Sequence, residues 1–262
     1  MIEKIKNTLK EGGIKGLWKK IDLFLKEKQE KYFYIFFKAL PDGLQLFLAK
    51  KIHRFQSNDI NKTVEYSFDV LQGLIRPMQI PSEFEGFLHI FRERAPKTIV
   101  EIGTANGGSL FSLCKLAPDN AFIISIDLPA GEFGGGYPAW KTKIYSLFKK
   151  DTQKLLLLRE DSHTTETFEK LKMILKGTPI DFLFIDGDHS YEGVKKDFEM
   201  YSPLVVPGGM ITLHDVTPSG LPQFTGGVPA FWKEIKNKYQ YKEFIRDEKQ
   251  TGFGIGCLFL NK

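Results

Sequence analysis

Acidic and histidine side chains follow two apolar runs in this chain of 262 residues. Asp186 directly follows one run, and His189 lies three residues beyond it; His214 and Asp215 directly follow the next run. If the two runs are neighbouring strands, their carboxyl ends place all four side chains in one crevice. Carboxylates and imidazoles there can bind a divalent metal or remove a proton. The alternative is ordinary loop polarity, but three of the five histidines (163, 189 and 214) follow strand ends.

A glycine-rich turn between an apolar strand and an apolar helix is the second candidate site. The strand covers residues 98–102, and the turn reads Glu101-x-Gly103-x-x-x-Gly107. In an open α/β sheet such a turn lies where ligands bind. The dinucleotide fingerprint Gly-x-Gly-x-x-Gly is absent, because Ala105 stands where its second glycine would be. The alternative is a turn that needs glycine only for packing.

This acidic-x-Gly-x-x-x-Gly pattern resembles the first motif of the class I S-adenosylmethionine-dependent methyltransferases. Their ligand has no pyrophosphate, and an acidic residue near the turn can face its cationic amino-acid end. Asp127 ends the second predicted strand, 24 residues after Gly103, and suits ribose hydroxyls. Asp161 and Ser162 follow the third strand and could cap an adenine ring, although Ser162 could equally be a helix N-cap. The predicted cofactor-binding residues are Glu101, Gly103, Thr104, Asn106, Gly107, Ser109, Asp127, Asp161, Ser162 and Asp186.

The segment from Pro129 to Trp140 contains three consecutive glycines among aromatic residues. Glycine gives the backbone freedom to change conformation, and the aromatic side chains can cover a ligand. We therefore interpret the segment as a lid that closes over substrate beside the nucleoside site.

The elements that must position these residues alternate between strand and helix from residue 97 onward. The alternation predicts an α/β fold with a doubly wound, seven-stranded, mostly parallel, Rossmann-like sheet. A helix over residues 83–94 precedes the first strand, and residues 207–209 predict a turn before the fifth. A helix over 229–239 and two closing strands, within 242–260, predict an antiparallel hairpin at the sheet edge.

Composition is typical of a protein from a reducing compartment. Hydrophobic residues make up 42% of the chain, enough for a large core, and Cys114 and Cys257 both lie in apolar runs. No apolar run reaches the roughly 18 residues of a membrane span, and the N-terminus lacks a signal-peptide pattern. We therefore expect a cytoplasmic protein.

The positive charge is concentrated at the N-terminus. Residues 1–60 hold 13 basic and 7 acidic residues, whereas the remainder holds 24 and 25, so the net charges are +6 and −1. This argues against a nucleic-acid groove at the candidate site. We predict a basic helical N-terminal extension over 1–75 and a methyltransferase domain over 76–262. Residues 1–60 could form a helical cap or homo-oligomer interface, lie as a basic amphipathic helix on an anionic membrane, or act as a lid.

Four motifs in order resemble a more specific group over roughly residues 75–260. The group is the cephalosporin hydroxylase-like methyltransferases, related to macrolide and aminocoumarin sugar O-methyltransferases. The resemblance implies that Asp186, His214 and Asp215 lie where relatives bind Mg²⁺, and that His189 lies where one branch places its base. His214 departs from the pattern, since many relatives carry Asp or Glu there. The ion could then be held by Asp186, Asp215 and water, be softer, such as Mn²⁺, or be absent. The motifs cover residues 100–109, 134–140, 186–193 and 213–215.

Together these features predict an S-adenosylmethionine-dependent O-methyltransferase acting on a hydroxyl of a sugar, glycan or other small molecule. Such a hydroxyl is a very weak acid, so a base or metal must assist its deprotonation. We predict His189 as the base, Asp186 and His214 as further catalytic residues, and Asp186, His214 and Asp215 as metal ligands. The alternatives are a non-catalytic protein on the same fold and a nicotinamide-dependent oxidoreductase.

Overall fold

The structure, a computed structural model, describes residues 50–73, 75–129, 136–219 and 225–261. Within these residues a seven-stranded sheet carries helices on both faces. The strands are β1 (Thr98–Ile102), β2 (Phe122–Asp127), β3 (Lys154–Arg159), β4 (Ile180–Ile185), β5 (Val205–His214), β6 (Gln240–Phe244) and β7 (Ile255–Phe259). The α-helices are α1 (Ile60–Asp69), α2 (Pro81–Arg94), α3 (Gly108–Leu116), α4 (Lys141–Tyr145), α5 (Thr165–Leu175), α6 (Tyr191–Tyr201) and α7 (Val228–Ile235).

The sheet has the order β3-β2-β1-β4-β5-β7-β6. The first five strands pair in parallel, and β7 runs antiparallel to both β5 and β6. The strand order reverses between β1 and β4, which opens a crevice at their carboxyl ends. This architecture confirms the predicted α/β sheet and its closing hairpin.

Two apolar cores cover the two faces of the sheet, because successive residues of a strand point to opposite sides. Ile99 belongs to the core beneath α1, α2 and α3, whereas Val100 belongs to the core beneath α5, α6 and α7. Phe87 of α2 anchors the first core, with its ring centroid 5.8 Å from Phe182 and 5.7 Å from Phe184 on β4. The sheet is thus held from both sides, which fixes where its strands end.

The described part of the N-terminal segment packs on the first core. Asp59 caps α1 by accepting from the backbone N–H of Lys62 at 3.3 Å. Tyr66 on α1 lies 5.5 Å from Phe111 of α3, measured between ring centroids. Residues 1–49 lie outside the described residues, so the boundary at residue 75, the membrane contact and the lid role stay predictions. Among the helices that the structure describes, none has the length and apolar character needed to cross a bilayer.

Two predicted boundaries are wrong. Residues 207–209, predicted as a turn, lie inside β5, where the pairing with β4 shifts register between Ile180 and Phe182. This Pro-Gly-Gly sequence forms an irregular part of the strand, held by two backbone hydrogen bonds. The N–H of Gly208 donates to the carbonyl of Leu260 at 3.1 Å, and the N–H of Leu260 donates to the carbonyl of Gly209 at 3.0 Å. The α-helical part of the predicted helix over 229–239 ends at Ile235 and continues as a 3₁₀ turn.

We expect Phe87→Ala to lower the free energy of unfolding by about 3–5 kcal/mol, because it leaves a cavity between α2 and the sheet. Met173, which is 69% exposed on α5, provides the control. Urea denaturation of both variants measures the difference, and an equal loss in Met173→Ala would contradict this account of the core.

Candidate active site

A cavity of about 280 Å³ opens at the carboxyl ends of β1, β2, β3 and β4. Its apolar wall comes from Ile102, Ile126 and Leu128, which end or follow β1 and β2. Of the predicted cofactor-binding residues, the cavity is lined by Gly103, Asp127, Asp161, Ser162 and Asp186. A ligand that has an apolar face, hydroxyl groups and a charged group suits such walls.

Gly103 sets how closely β1 and β4 approach at the cavity floor. Its φ is +89°, and a Cβ atom placed on it would lie 1.9 Å from the carbonyl oxygen of Asp186. The Asp186 N–H in turn donates to the carbonyl of Ile102 at 2.8 Å. Only glycine fits this contact, because it lacks Cβ and tolerates positive φ.

Asp127 orders the glycine-rich turn. One carboxylate oxygen accepts from the backbone N–H groups of Thr104 and Ala105, at 3.0 and 2.7 Å. The other accepts from Leu128 and Gly136, at 2.8 and 3.0 Å. The side chain therefore joins the turn after β1 to the segment after β2, and its predicted contact with a ribose stays a prediction.

The segment after β2 is also held by Arg159, at the end of β3. Its guanidinium donates to the carbonyl of Tyr137 at 3.0 and 3.1 Å and to that of Pro129 at 3.2 Å. Residues 130–135, the central part of the predicted lid, lie outside the described residues. Both described ends of the segment are thus anchored beside the cavity.

Glu101 lies beneath the turn and is not among the residues lining the cavity. It is fully buried, and burial raises its pKa to about 8, an effect that the nearby Ser109 and Thr104 hydroxyls reduce. Asn106 accepts from the Nζ of buried Lys141 at 3.1 Å. Direct contact of Glu101 and Asn106 with a cofactor stays a prediction.

The four acid and histidine residues after β4 and β5 do meet. His189 Nδ1 lies 3.2 Å from Asp215 Oδ2, and His189 Nε2 lies 3.5 Å from Asp186 Oδ1. His214 Nδ1 lies 3.1 Å from Asp186 Oδ1 and 3.6 Å from Asp215 Oδ2. Two carboxylates thus bridge two imidazoles, and we call these four residues the acid–histidine cluster.

The loop after β4 fixes the position of His189. Ser190 caps α6 by accepting from the N–H of Gly193 at 2.9 Å. The N–H of Gly227 donates to the carbonyl of His189 at 2.7 Å. His189 is therefore held between α6 and the start of α7.

Burial and mutual charge set the ionisation of the acid–histidine cluster. Burial disfavours charge on Asp186, but His214 and His189 hold its pKa well below the ordinary value. Burial also disfavours charge on His214, yet Asp186 and Asp215 raise its pKa to about 8. Burial raises the pKa of Asp215. The cluster is thus held together by opposite charges in a partly dry site.

Divalent metal binding is compatible with part of this cluster. Asp186, His189 and Asp215 each offer a ligand atom, and these atoms all lie within 4.8 Å of one another. The sequence predicted His214 as the histidine ligand of the metal. In the structure the histidine of this set is His189, which the sequence predicted as the base. Oxygen ligands suit Mg²⁺, and the added imidazole suits Mn²⁺ or Zn²⁺. The predicted metal ligands and catalytic roles stay predictions.

A second buried pair borders the cavity, and sequence reasoning missed it. His163 Nε2 lies 3.3 Å from the carboxylate of Asp197, which α6 carries and which is fully buried. Asp197 raises the pKa of His163 above its ordinary value of 6.5. The same loop is tied to α6 by Tyr201, whose hydroxyl donates to the carbonyl of Ser162 at 2.7 Å. The sequence signal for this pair was Asp197, an acidic residue on the inner face of the amphipathic helix α6.

Thr164, rather than Ser162, is the N-cap of α5, since its side chain accepts from the N–H of Thr167. The alternative interpretation of Ser162 as the cap is therefore wrong. Ser162 lines the cavity instead, and its contact with a cofactor stays a prediction.

Residues 100–216 match a family model described as a methyltransferase domain. Uncharacterized protein y4gI of Sinorhizobium fredii is 29% identical over 170 residues, which are 64% of this chain and 17% of that protein. Uncharacterized protein R132 of Acanthamoeba polyphaga mimivirus is 28% identical over 183 residues, or 67% of this chain and 71% of that protein. The chain thus spans less than a fifth of the first of these relatives.

Among solved structures, an O-methyltransferase from Bacillus cereus in complex with SAH is similar, with a TM-score of 0.50 and 19% identity. The match covers 76% of this chain and 90% of that one, and at this identity it shows the fold. The solved structure confirms the predicted fold. Membership of the class I S-adenosylmethionine-dependent methyltransferases stays a prediction, which the family match over residues 100–216 supports. The more specific sugar O-methyltransferase group stays a prediction.

We expect Gly103→Ala to destabilise the protein more than Gly177→Ala. Both glycines have positive φ, at +89° and +80°, so alanine brings similar backbone strain of about 1–2 kcal/mol at each. At Gly177 no atom lies within 4 Å of the new Cβ, whereas at Gly103 it meets the Asp186 carbonyl. The clash should add about 1–3 kcal/mol in urea denaturation; equal losses would contradict the close contact.

We also expect the His163–Asp197 pair to make stability depend on pH. Because its folded-state pKa is raised, His163 contributes stability that is fully present below about pH 6.5 and is lost as pH rises through that pKa. The gap in unfolding free energy between wild type and Asp197→Asn should therefore shrink from pH 6 to pH 9. Urea denaturation at each pH measures it, and a constant gap would contradict the pairing.

Proposed function

We propose that the chain transfers a methyl group from S-adenosylmethionine to a hydroxyl of a sugar, glycan or other small molecule, with His189 as the base. The observation that carries this proposal is the position of His189. Its ring lies between two carboxylates, next to a cavity whose floor Asp186 shares. A methyl acceptor must sit beside the cofactor and within reach of a base.

The cavity supports cofactor binding by its chemistry. Ile102, Ile126 and Leu128 offer an apolar surface for the nucleoside, and Asp161 and Ser162 offer polar groups at its edge. S-adenosylmethionine, when bound, supplies an electrophilic methyl group. The chain's own task is to bring an acceptor oxygen into line with that group and to remove its proton.

His189 can take that proton through Nε2. The Nδ1 atom is 3.2 Å from Asp215, so a neutral imidazole donates there and leaves Nε2 as the basic nitrogen. After proton transfer both nitrogens are donors, and Asp186 and Asp215 stabilise the imidazolium. His189 is also the more accessible imidazole, with 19% of its side chain exposed against 3% for His214.

A divalent metal would fit beside the same carboxylates. Asp186 and Asp215 offer oxygen ligands, with His189 or His214 as a nitrogen ligand. Bound there, the ion would lower the pKa of an acceptor hydroxyl. If the two carboxylates and His214 hold the metal, His189 acts as the base. If His189 is instead the nitrogen ligand beside the two carboxylates, its role is to hold the metal.

The partners follow from the site and the charge. The acceptor is a hydroxylated small molecule or glycan rather than a nucleic acid, because the basic excess lies in residues 1–60. We also propose that the chain forms a homo-oligomer, that it is located in the cytoplasm, and that residues 1–60 contact a membrane.

We expect His189→Ala to lower single-turnover methyl transfer by about 10²–10⁴-fold, the usual contribution of a general base. Affinity for S-adenosylhomocysteine should stay within about twofold, because the cavity is lined by other residues. His89→Ala is the matched control, since His89 is an exposed histidine on α2. The acceptor comes from a screen of sugars and phenols for S-adenosylhomocysteine release.

Unchanged turnover in His189→Ala would remove it as the base and make His214 the better candidate. The same assay in EDTA separates the metal arrangements, with Mg²⁺ or Mn²⁺ added back. Full activity in EDTA would remove the metal, and loss of rate that Mn²⁺ restores would support it. No methyl transfer to any acceptor despite cofactor binding would favour the non-catalytic alternative.

A further inference from the structure

We propose that the ring of Phe253 forms the apolar wall of the acceptor site, so that the acceptor presents a flat ring face beside its reacting hydroxyl. The inference rests on the proposed function and names the class of its substrate. Phe253 lies in the loop between β6 and β7, and 40% of its surface is exposed.

Phe253 is held in a backbone conformation that bulky residues avoid. Its φ is +59°, and its neighbours Gly252 and Gly254 also have positive φ, at +76° and +85°. A left-handed conformation costs a non-glycine residue about 1–2 kcal/mol. Such strain persists where the surroundings enforce it, and it concentrates at functional sites.

The surroundings of this loop do enforce it. Glu83, buried in the first turn of α2, accepts from the N–H of Gly254 at 3.0 Å. The carbonyl of Phe253 accepts from the N–H of Thr217 at 2.9 Å, and the N–H of Gly252 donates to the carbonyl of Pro218 at 2.9 Å. The loop is therefore fixed on both sides of Phe253, while the phenyl ring remains partly exposed.

The ring lies next to the acid–histidine cluster. Its centroid is 6.2 Å from that of the His214 imidazole, in an edge-to-face arrangement. The backbone N–H of Phe253 also donates toward the Asp215 carboxylate. The same residue thus supports a carboxylate of the cluster and places an apolar surface beside it.

An exposed phenyl face beside a proton-transfer site selects for a particular chemistry. It stacks on aromatic rings and packs against the C–H face of a pyranose, and both can carry neighbouring hydroxyls. A flexible or purely charged acceptor gains nothing from it. The shared chemistry is a hydroxylated ring with one apolar face.

The test titrates two probes, catechol and methyl β-D-glucopyranoside, into the full chain with and without S-adenosylhomocysteine. Phe253→Asn removes the ring, and Asn tolerates positive φ. Phe253→Tyr retains the ring, and Met173→Asn replaces another exposed apolar side chain, on α5.

We expect wild type to bind one of the two probes and Phe253→Asn to bind it about tenfold more weakly. Phe253→Tyr and Met173→Asn should both keep the wild-type affinity within about twofold, because each leaves a ring at position 253.

The probe that binds identifies the ring as aromatic or pyranose. Binding of neither probe to wild type, or equal binding to Phe253→Asn, would overturn the proposal. A fall in S-adenosylhomocysteine affinity in Phe253→Asn would overturn it too, because the effect would then lie in the cofactor site. Titration of S-adenosylhomocysteine alone tests the proposed function separately from the ring.

Discussion

The close contact between the turn after β1 and the backbone after β4 is the constraint on which the site depends. Gly103 approaches the Asp186 carbonyl so closely that a Cβ atom would lie 1.9 Å from it. This contact forms the cavity floor and also fixes the start of the loop that carries His189. The cavity at the strand ends and the acid–histidine cluster therefore share one backbone junction, and a shift at Gly103 would disturb both.

Two groups of acidic and histidine side chains near that junction are paired with each other. The acid–histidine cluster places two carboxylates against two imidazoles, and the carboxylate of Asp197 lies against His163 beside the cavity. A buried charge without a partner is strongly destabilising, so each pair constrains the loop that carries it. Electrostatic pairing thus connects the stability of the strand-end loops to the geometry of the site.

The sequence predicts the sheet and the strand ends well, because buried parallel strands read as continuous apolar runs that end in polar residues. It places Asp186, His189, His214 and Asp215 together for the same reason. It does not predict that β5 includes Pro207, because the backbone of Gly208 and Gly209 is held there by hydrogen bonds to Leu260, which is distant in the chain.

The His163–Asp197 pair and the position of Phe253 could not be predicted either. Both depend on contacts between residues far apart in the chain. The first joins a loop to a helix, and the second joins two loops. Residue type and spacing show a polar residue on a helix or an aromatic residue between glycines. They do not show which other side chain lies against that residue in the folded chain.

Isothermal titration with S-adenosylhomocysteine and with NAD tests the central claim most directly, because both ligands suit a strand-end cavity of a Rossmann-like sheet. The account predicts that S-adenosylhomocysteine binds once per chain and that NAD gives no heat. Binding of NAD without binding of S-adenosylhomocysteine would contradict it.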